Sequence, residues 1–171
     1  MVAIKIDSNA PIIAQRMVLF SSSLRNWTGP LKAFGRILVR SITENFEAEG
    51  RPKPWKPLAE STLFGRVGVG RLVGKKGKEL KRAQKRLGNV MILQDSGLLK
   101  NSARAEVSGN TLRVGPAGPA AIYAAIHQFG GKAGRGRKVQ IPARPFLLVQ
   151  PEDETELLDL VRGQIEKEAK G

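Results

Sequence analysis

His127 is the single histidine of this chain, and hydrolytic or metal chemistry would have to be built around it. It lies in Tyr123-Ala124-Ala125-Ile126-His127-Gln128-Phe129-Gly130-Gly131. A catalytic triad places imidazole between a nucleophile and a carboxylate. The chain has no Gly-x-Ser-x-Gly elbow and no cysteine to supply the nucleophile. A zinc site built from one histidine and carboxylates would be unusual, and the nearest carboxylates in sequence, Glu106 and Glu152, are far along the chain. Histidine beside Gln128 and Phe129 at a helix end reads as a capping or packing residue. Gly65–Gly70 has the letters of a GxxGxG phosphate loop, but no strand is expected before it and no GK[ST] closes it. The sequence therefore assigns no catalytic, cofactor-binding or metal-ligating residue, and the expectation is a protein that is not an enzyme.

The charge pattern points elsewhere. Net charge is +14, from 29 Lys+Arg against 15 Asp+Glu. Residues 51–104 carry 14 bases and 3 acids, residues 130–144 carry 5 bases and no acid, and residues 145–171 reverse the balance with 7 acids against 3 bases. Such a balance suits polyanions or acidic protein surfaces. Charge alone leaves open two readings: a solvated basic surface, and two basic loops facing nucleic acid. Aromatic residues for base stacking are scarce there. The candidate cations are Arg66, Arg71, Lys75, Lys76, Lys78, Lys81, Arg82, Lys85 and Arg86 in the first basic region, and Lys132, Arg135, Arg137 and Lys138 in the second. The absence of cysteine excludes disulfides. No signal peptide is read at the N-terminus, and no apolar run is long enough to span a bilayer. A soluble protein made in the cytoplasm is expected, with no membrane partner.

The elements that position these residues follow from periodicity and breakers. Residues 2–7 alternate as a short strand. Ile13, Met17, Phe20, Leu24 and Trp27 fall on one face of a helix from about 11 to 27. Thr28-Gly29-Pro30 is read as a break, and Leu31, Phe34, Leu38, Ile42 and Phe46 mark a second helix that ends before Gly50. Three prolines make Arg51–Leu58 extended, with Trp55 expected to anchor it on the helices. Residues 64–89 read as a basic Gly/Lys/Arg arm ending in a short helix with Leu80, Ala83 and Leu87 on its edge. Asp95 or Ser96 can cap a helical turn. Residues 102–108 and 111–115 read as strands joined by Ser108-Gly109-Asn110. A helix over 119–128 stops at Gly130 and Gly131, a flexible basic loop covers 131–138, and strands are expected at Val139–Ile141 and Phe146–Val149. Pro151 opens a last helix whose acids Glu152, Asp153, Glu154 and Glu156 suit its positive end. The expected class is α+β: one domain over 1–171, a small antiparallel sheet packed with amphipathic helices, with long basic loops.

Several motifs in a fixed order carry a family resemblance. They are Phe46-Glu47-Ala48-Glu49-Gly50-Arg51-Pro52, Trp55-Lys56-Pro57-Leu58, Ile92-Leu93-Gln94-Asp95-Ser96-Gly97-Leu98-Leu99, Tyr123 through Gly130, and Arg144-Pro145-Phe146-Leu147. In this order the chain resembles the phage virion morphogenesis family, the tail completion proteins of Mu-like tailed phages. The Gly/Lys/Arg insertion at 64–89 departs from the pattern by its length. The resemblance implies a non-enzymatic virion component at the head–tail junction or head-proximal tail end, made in the bacterial host cytoplasm. It implies a ring of copies of itself, contacts with other neck or tail proteins, and a basic lining that faces passing genomic DNA without sequence preference. Trp55, Tyr123, His127, Gln128, Phe129, Arg144, Pro145 and Phe146 are its structural motif residues. Two other readings stay open: a nucleic-acid-binding regulator using the basic arm, which lacks a recognition helix, and a hydrolase centred on His127.

Overall fold

The computed structural model describes residues 27–67 and 88–169. The strand at 2–7, most of the helix at 11–27, and the arm residues 68–87, including Arg71, Lys75, Lys76, Lys78, Lys81, Arg82, Lys85 and Arg86, lie outside them.

The described residues form a mixed α+β fold of four α-helices and two antiparallel hairpins. In chain order these are α1 (Thr28–Glu47), α2 (Glu60–Val67), β1 (Ala103–Ser108), β2 (Thr111–Pro116), α3 (Ala121–Phe129), β3 (Gly131–Ala133), β4 (Val139–Ile141) and α4 (Pro151–Ala169). The expected single sheet is two separate two-stranded ones. In the first, Ser108 pairs with Thr111 across the two-residue turn Gly109-Asn110.

Thr28-Gly29-Pro30 is not a break. These residues are the first turn of α1, with Leu31 N–H donating to the Trp27 carbonyl at 3.0 Å. The first N–H groups of a helix have no intrahelical acceptor, so Pro30 loses nothing by lacking one. Trp27 itself is buried. Helix α1 is central, touching β1 and β2 on one side and α4 on another. Gly35 makes the sheet contact possible: a Cβ there would stand 2.8 Å from the Ala105 Cβ. Any larger side chain would push the hairpin off the helix.

The core joins Ile42 and Phe46 of α1 to Trp55, Ile92, Leu93, Leu99, Ala120, Ala124, Phe146 and Leu147. Phe46 is its centre, fully enclosed, edge-on to Trp55 at 5.5 Å and tilted against Phe146 at 5.3 Å. Much of this core comes from irregular segments that meet on α1 rather than from sheet faces.

Three further expectations change. Phe64–Val67 belong to α2 rather than to a mobile arm, which also removes Gly65 from any phosphate loop. Val67 is buried and anchors that last turn. Residues 131–138 are not an unstructured loop. Gly131, Lys132 and Ala133 pair with Ile141, Gln140 and Val139, and Arg135–Arg137 make a 3-10 turn between them. Backbone pairing holds this segment even though it lacks a large apolar residue before Val139. Finally, Phe146–Val149 pairs with no strand of the described residues; side chains satisfy the Phe146 and Leu147 backbone instead.

Candidate functional site

Buried backbone polar groups must find partners, and Arg144–Leu147 finds them on four neighbours. The Arg144 N–H donates to the His127 carbonyl at 2.7 Å. Gln128 Oε1 accepts from Phe146 N–H at 2.9 Å and from Leu147 N–H at 3.0 Å, while its Nε2 donates to the Leu147 carbonyl at 3.0 Å. Trp55 Nε1 donates to the Pro145 carbonyl at 2.9 Å, and Asn45 Nδ2 donates to the Phe146 carbonyl at 3.1 Å. One buried glutamine thus does the work of an adjacent strand. It projects from α3 because the helix places Ala124 and Gln128 on its inner face.

Arg144 runs the other way. Its side chain is buried, with Nε donating to the Lys56 carbonyl and Nη2 to the Pro57 carbonyl, each at 2.9 Å. The planar guanidinium can serve two successive carbonyls at once. It thereby clips the Pro-rich segment to the chain after β4. Burial, then the nearby Arg66 charge, holds its pKa below the usual arginine value.

A second polar network, which sequence reasoning missed, locks α4 to α1. The Ser41 hydroxyl donates to Asp153 Oδ2 at 2.7 Å, and the Gln150 N–H donates to the same oxygen at 2.9 Å. Arg51 Nη2 donates to the Ser41 carbonyl and to its Oγ, both at 2.9 Å, while Nη1 reaches Glu152 at 3.0 Å and Glu44 at 3.2 Å. Asn45 Oδ1 accepts from the Arg51 N–H at 2.7 Å. The first turn of α4 is therefore acidic for two reasons: dipole complementarity and direct service to Ser41 and Arg51. The available signal was Asn45, a polar residue within the Leu31–Phe46 stripe, with Ser41 one turn before it.

Among the described residues, His127 joins neither a triad nor a metal cluster. Its ring stands edge-on to Tyr123 at 5.9 Å, and its buried Nδ1 has no hydrogen-bond partner among the described residues. The buried Ser41 hydroxyl donates its hydrogen bond to Asp153. No group of three His, Cys, Asp or Glu that could hold a metal occurs among the described residues. Burial and then the Arg144 charge push the His127 pKa below its ordinary 6.5. The neutral ring is therefore favoured in the fold, while the unfolded chain binds the extra proton. Stability from this source is fully present above pH 6.5 and is lost as pH falls from there through the folded-state value. Denaturant midpoints should drop as pH falls below 6.5. In His127→Phe that slope should flatten, since no other histidine titrates there. An identical slope in the variant would show that His127 is not its source.

The candidate cations divide. Lys132, Arg135, Arg137 and Lys138 are all exposed on the β3–β4 hairpin, and none forms an ion pair among the described residues. The hairpin stands on α3: a Cβ at Gly131 would lie 3.5 Å from Ile126 Cγ1. Arg66 is engaged internally, with Nη1 donating to the Met91 carbonyl at 2.8 Å and Nε 3.4 Å from Asp95. Trp55, Gln128, Arg144, Pro145 and Phe146 come together in one frame, with Tyr123 and His127 at its edge, while Phe129 is turned outward. No helix of the described residues is long and apolar enough to cross a membrane.

Comparison with known proteins places this frame. The sequence pattern of the phage virion morphogenesis family matches residues 13–166. The chain is also 33% identical over 159 residues to the Mu-like prophage FluMu G protein 2 of Haemophilus influenzae (strain ATCC 51907 / DSM 11121 / KW20 / Rd), covering 93% of this chain and 92% of that protein. No solved structure matches it.

Proposed function

The chain belongs to the phage virion morphogenesis family, and from that premise we propose that it is a non-enzymatic virion component. It acts at the head–tail junction or the head-proximal end of the tail, as a ring of copies around the DNA path. The observation that supports this beyond family membership is the hairpin. Four cations with no ion pair among the described residues stand on a frame pinned by buried hydrogen bonds. That arrangement presents fixed positive charge to a polyanion.

DNA binding by the isolated protein is then weak, independent of sequence and steeply salt-dependent. Replacing Lys132, Arg135, Arg137 and Lys138 with glutamine should flatten the slope of log K against log salt by up to about 3.6, since each phosphate contact contributes about 0.9. A preferred sequence would favour a regulator instead. An unchanged slope would assign the DNA contact, if any, to the arm at 68–87.

The direct test of function is to produce phage in cells from which this chain alone is missing. Full heads and separate tails should accumulate without joining, and supplying the protein should restore infective particles. Normal yields without it would end the proposal.

A further inference from the structure

The β1–β2 hairpin has one edge ready to accept another strand. The Ala117 N–H donates to the Ser102 carbonyl at 2.9 Å, and Ser108 and Thr111 close the two-residue turn. Opposite residues of an antiparallel pair alternate between bonded and non-bonded. Arg104, Glu106 and Ser108 therefore bond across to β2, while Ala103, Ala105 and Val107 direct their N–H and C=O groups away from it. No described strand pairs with that outer edge. On β2 the outward positions are Leu112, Val114 and Pro116, where proline has no N–H to offer, and α3 lies against that strand. The β1 edge is different: Ala105 is exposed although its Cβ is turned to Gly35 of α1. An open edge of this kind is a template for pairing unless something covers it.

The two faces of β1 specify what covers it. Ala105 faces α1, so Ala103 and Val107 share that side, and Arg104 and Glu106 are exposed on the other. Glu106 forms no ion pair among the described residues. Arg104 forms none either; its Nη1 donates to the Asn101 and Ala103 carbonyls. A matching strand needs apolar residues at alternate positions and, between them, a cation for Glu106 and an anion for Arg104. Val2-Ala3-Ile4-Lys5-Ile6-Asp7 has that pattern. Laid antiparallel to β1 with Ile6 opposite Ala105, it puts Ile4 opposite Val107 on the α1 side, Lys5 opposite Glu106 and Asp7 opposite Arg104. Glu106 then stands between Lys5 and its β2 neighbour Arg113. Sliding by one residue turns both isoleucines to solvent. Sliding by two sets Lys5 against Arg104 or Asp7 against Glu106, and like charges directly opposite are unfavourable.

We infer that residues 2–7 pair antiparallel with β1 of their own copy and complete a three-stranded sheet over α1. The connection permits it. β1 begins beside the C-terminal end of α1, where Lys100 meets Glu47 at 3.0 Å, and Ala105 lies against Gly35, so β1 runs antiparallel to α1. The added strand runs along with α1 and ends at the level of Ala103. Residues 8–26 then return to Trp27 over at most the length of α1, about 30 Å, which is less than those residues span when extended. The inference stands apart from the proposed role in the virion. It removes the β1 edge from the surfaces through which copies or other proteins could join, and it gives the amino-terminal segment the task of preventing edge-to-edge association.

Amide hydrogen exchange on the unaltered full chain reads the pairing. The Ala105 and Val107 amides should exchange as slowly as those of Arg104 and Glu106, which bond to β2. Fast exchange at the outward pair would overturn the inference. Ile6→Pro removes the N–H that faces Ala105. It should abolish protection at Ala105 and Val107 while Arg104 and Glu106 stay slow; unchanged protection would show that a different segment covers the edge, which also overturns it. Register is read by cross-linking, for which the absence of native cysteine leaves a clean background. Facing residues of a non-hydrogen-bonded pair lie about 4.5 Å apart at Cα, within disulfide range. Lys5→Cys with Glu106→Cys should oxidise to an internal disulfide in a species of 18.6 kDa, and Lys5→Cys with Arg104→Cys should stay reduced. Equal oxidation of both pairs would overturn the register. Covalent dimers from the first pair would mean that the strand crosses to a neighbouring copy, and would overturn its assignment to its own.

Discussion

Gln128→Leu is expected to destabilise the fold by at least about 3 kcal/mol, although the substitution keeps the side chain's approximate size and raises its hydrophobicity. Three buried backbone groups lose their partners at once: Phe146 N–H, Leu147 N–H and the Leu147 carbonyl. Each buried polar group left unsatisfied costs about 1–3 kcal/mol, and the 94% enclosure of Gln128 leaves little room for water to replace it. Phe129→Ala, one residue later on the outward face, should cost the isolated subunit under about 1 kcal/mol, because its ring is largely in solvent already. Urea denaturation of both variants checks the contrast. Equal, small effects would mean that Phe146–Val149 is not held through Gln128 and finds its partners elsewhere.

Gln128 also shows where sequence reading stops. Its motif was legible, because His-Gln-Phe-Gly after an Ala-rich stretch is too specific to be generic helix. Helix α3, the β1–β2 hairpin and α4 were legible for simpler reasons: periodicity, a two-residue Gly-Asn turn and a proline followed by acids. Phe146–Val149 reads as a strand because apolar residues follow prolines, and composition cannot tell a backbone paired with a strand from one paired with side chains. The hairpin at 131–141 was hidden for a related cause. Its strands are three residues each and its stability comes from backbone pairing and its seat on Ile126, neither of which leaves a periodic signature. The Ser41–Asp153–Arg51 network joins residues more than a hundred positions apart, and local pattern carries no information at that range. Exposure of Ile122 was hidden as well, because an apolar residue on a helix looks the same in sequence whether it faces a core or a neighbour.

Trp55→Ala should cost about 3–5 kcal/mol, the range for emptying an enclosed aromatic site. The ring is 94% buried and packs edge-on against Phe46, itself fully enclosed at the centre of the core. Its surroundings are built to receive it. Gly50 has φ +116°, and a Cβ there would stand 2.7 Å from Trp55 N and 2.8 Å from Trp55 Cδ1, so the chain must turn through a glycine for the indole to seat. The Trp55 N–H then closes the turn on the Glu49 carbonyl at 2.7 Å. Trp55→Phe separates packing from hydrogen bonding. It retains most of the apolar area but removes Nε1, leaving the Pro145 carbonyl only the 3.4 Å contact with Asn45. That variant should lose about 1–3 kcal/mol, clearly less than alanine. Trp27 is the other tryptophan of the chain, so Trp27→Phe isolates Trp55 emission, which should be blue-shifted and resistant to iodide quenching. Red-shifted, freely quenched emission in the folded protein would contradict the enclosed position. With the indole gone, the stretch after Trp55 is still held by the Arg144 clip at Lys56 and Pro57. Combining Trp55→Ala with Arg144→Ala should therefore cost less than the sum of the two single changes, because each anchor holds the segment in place for the other.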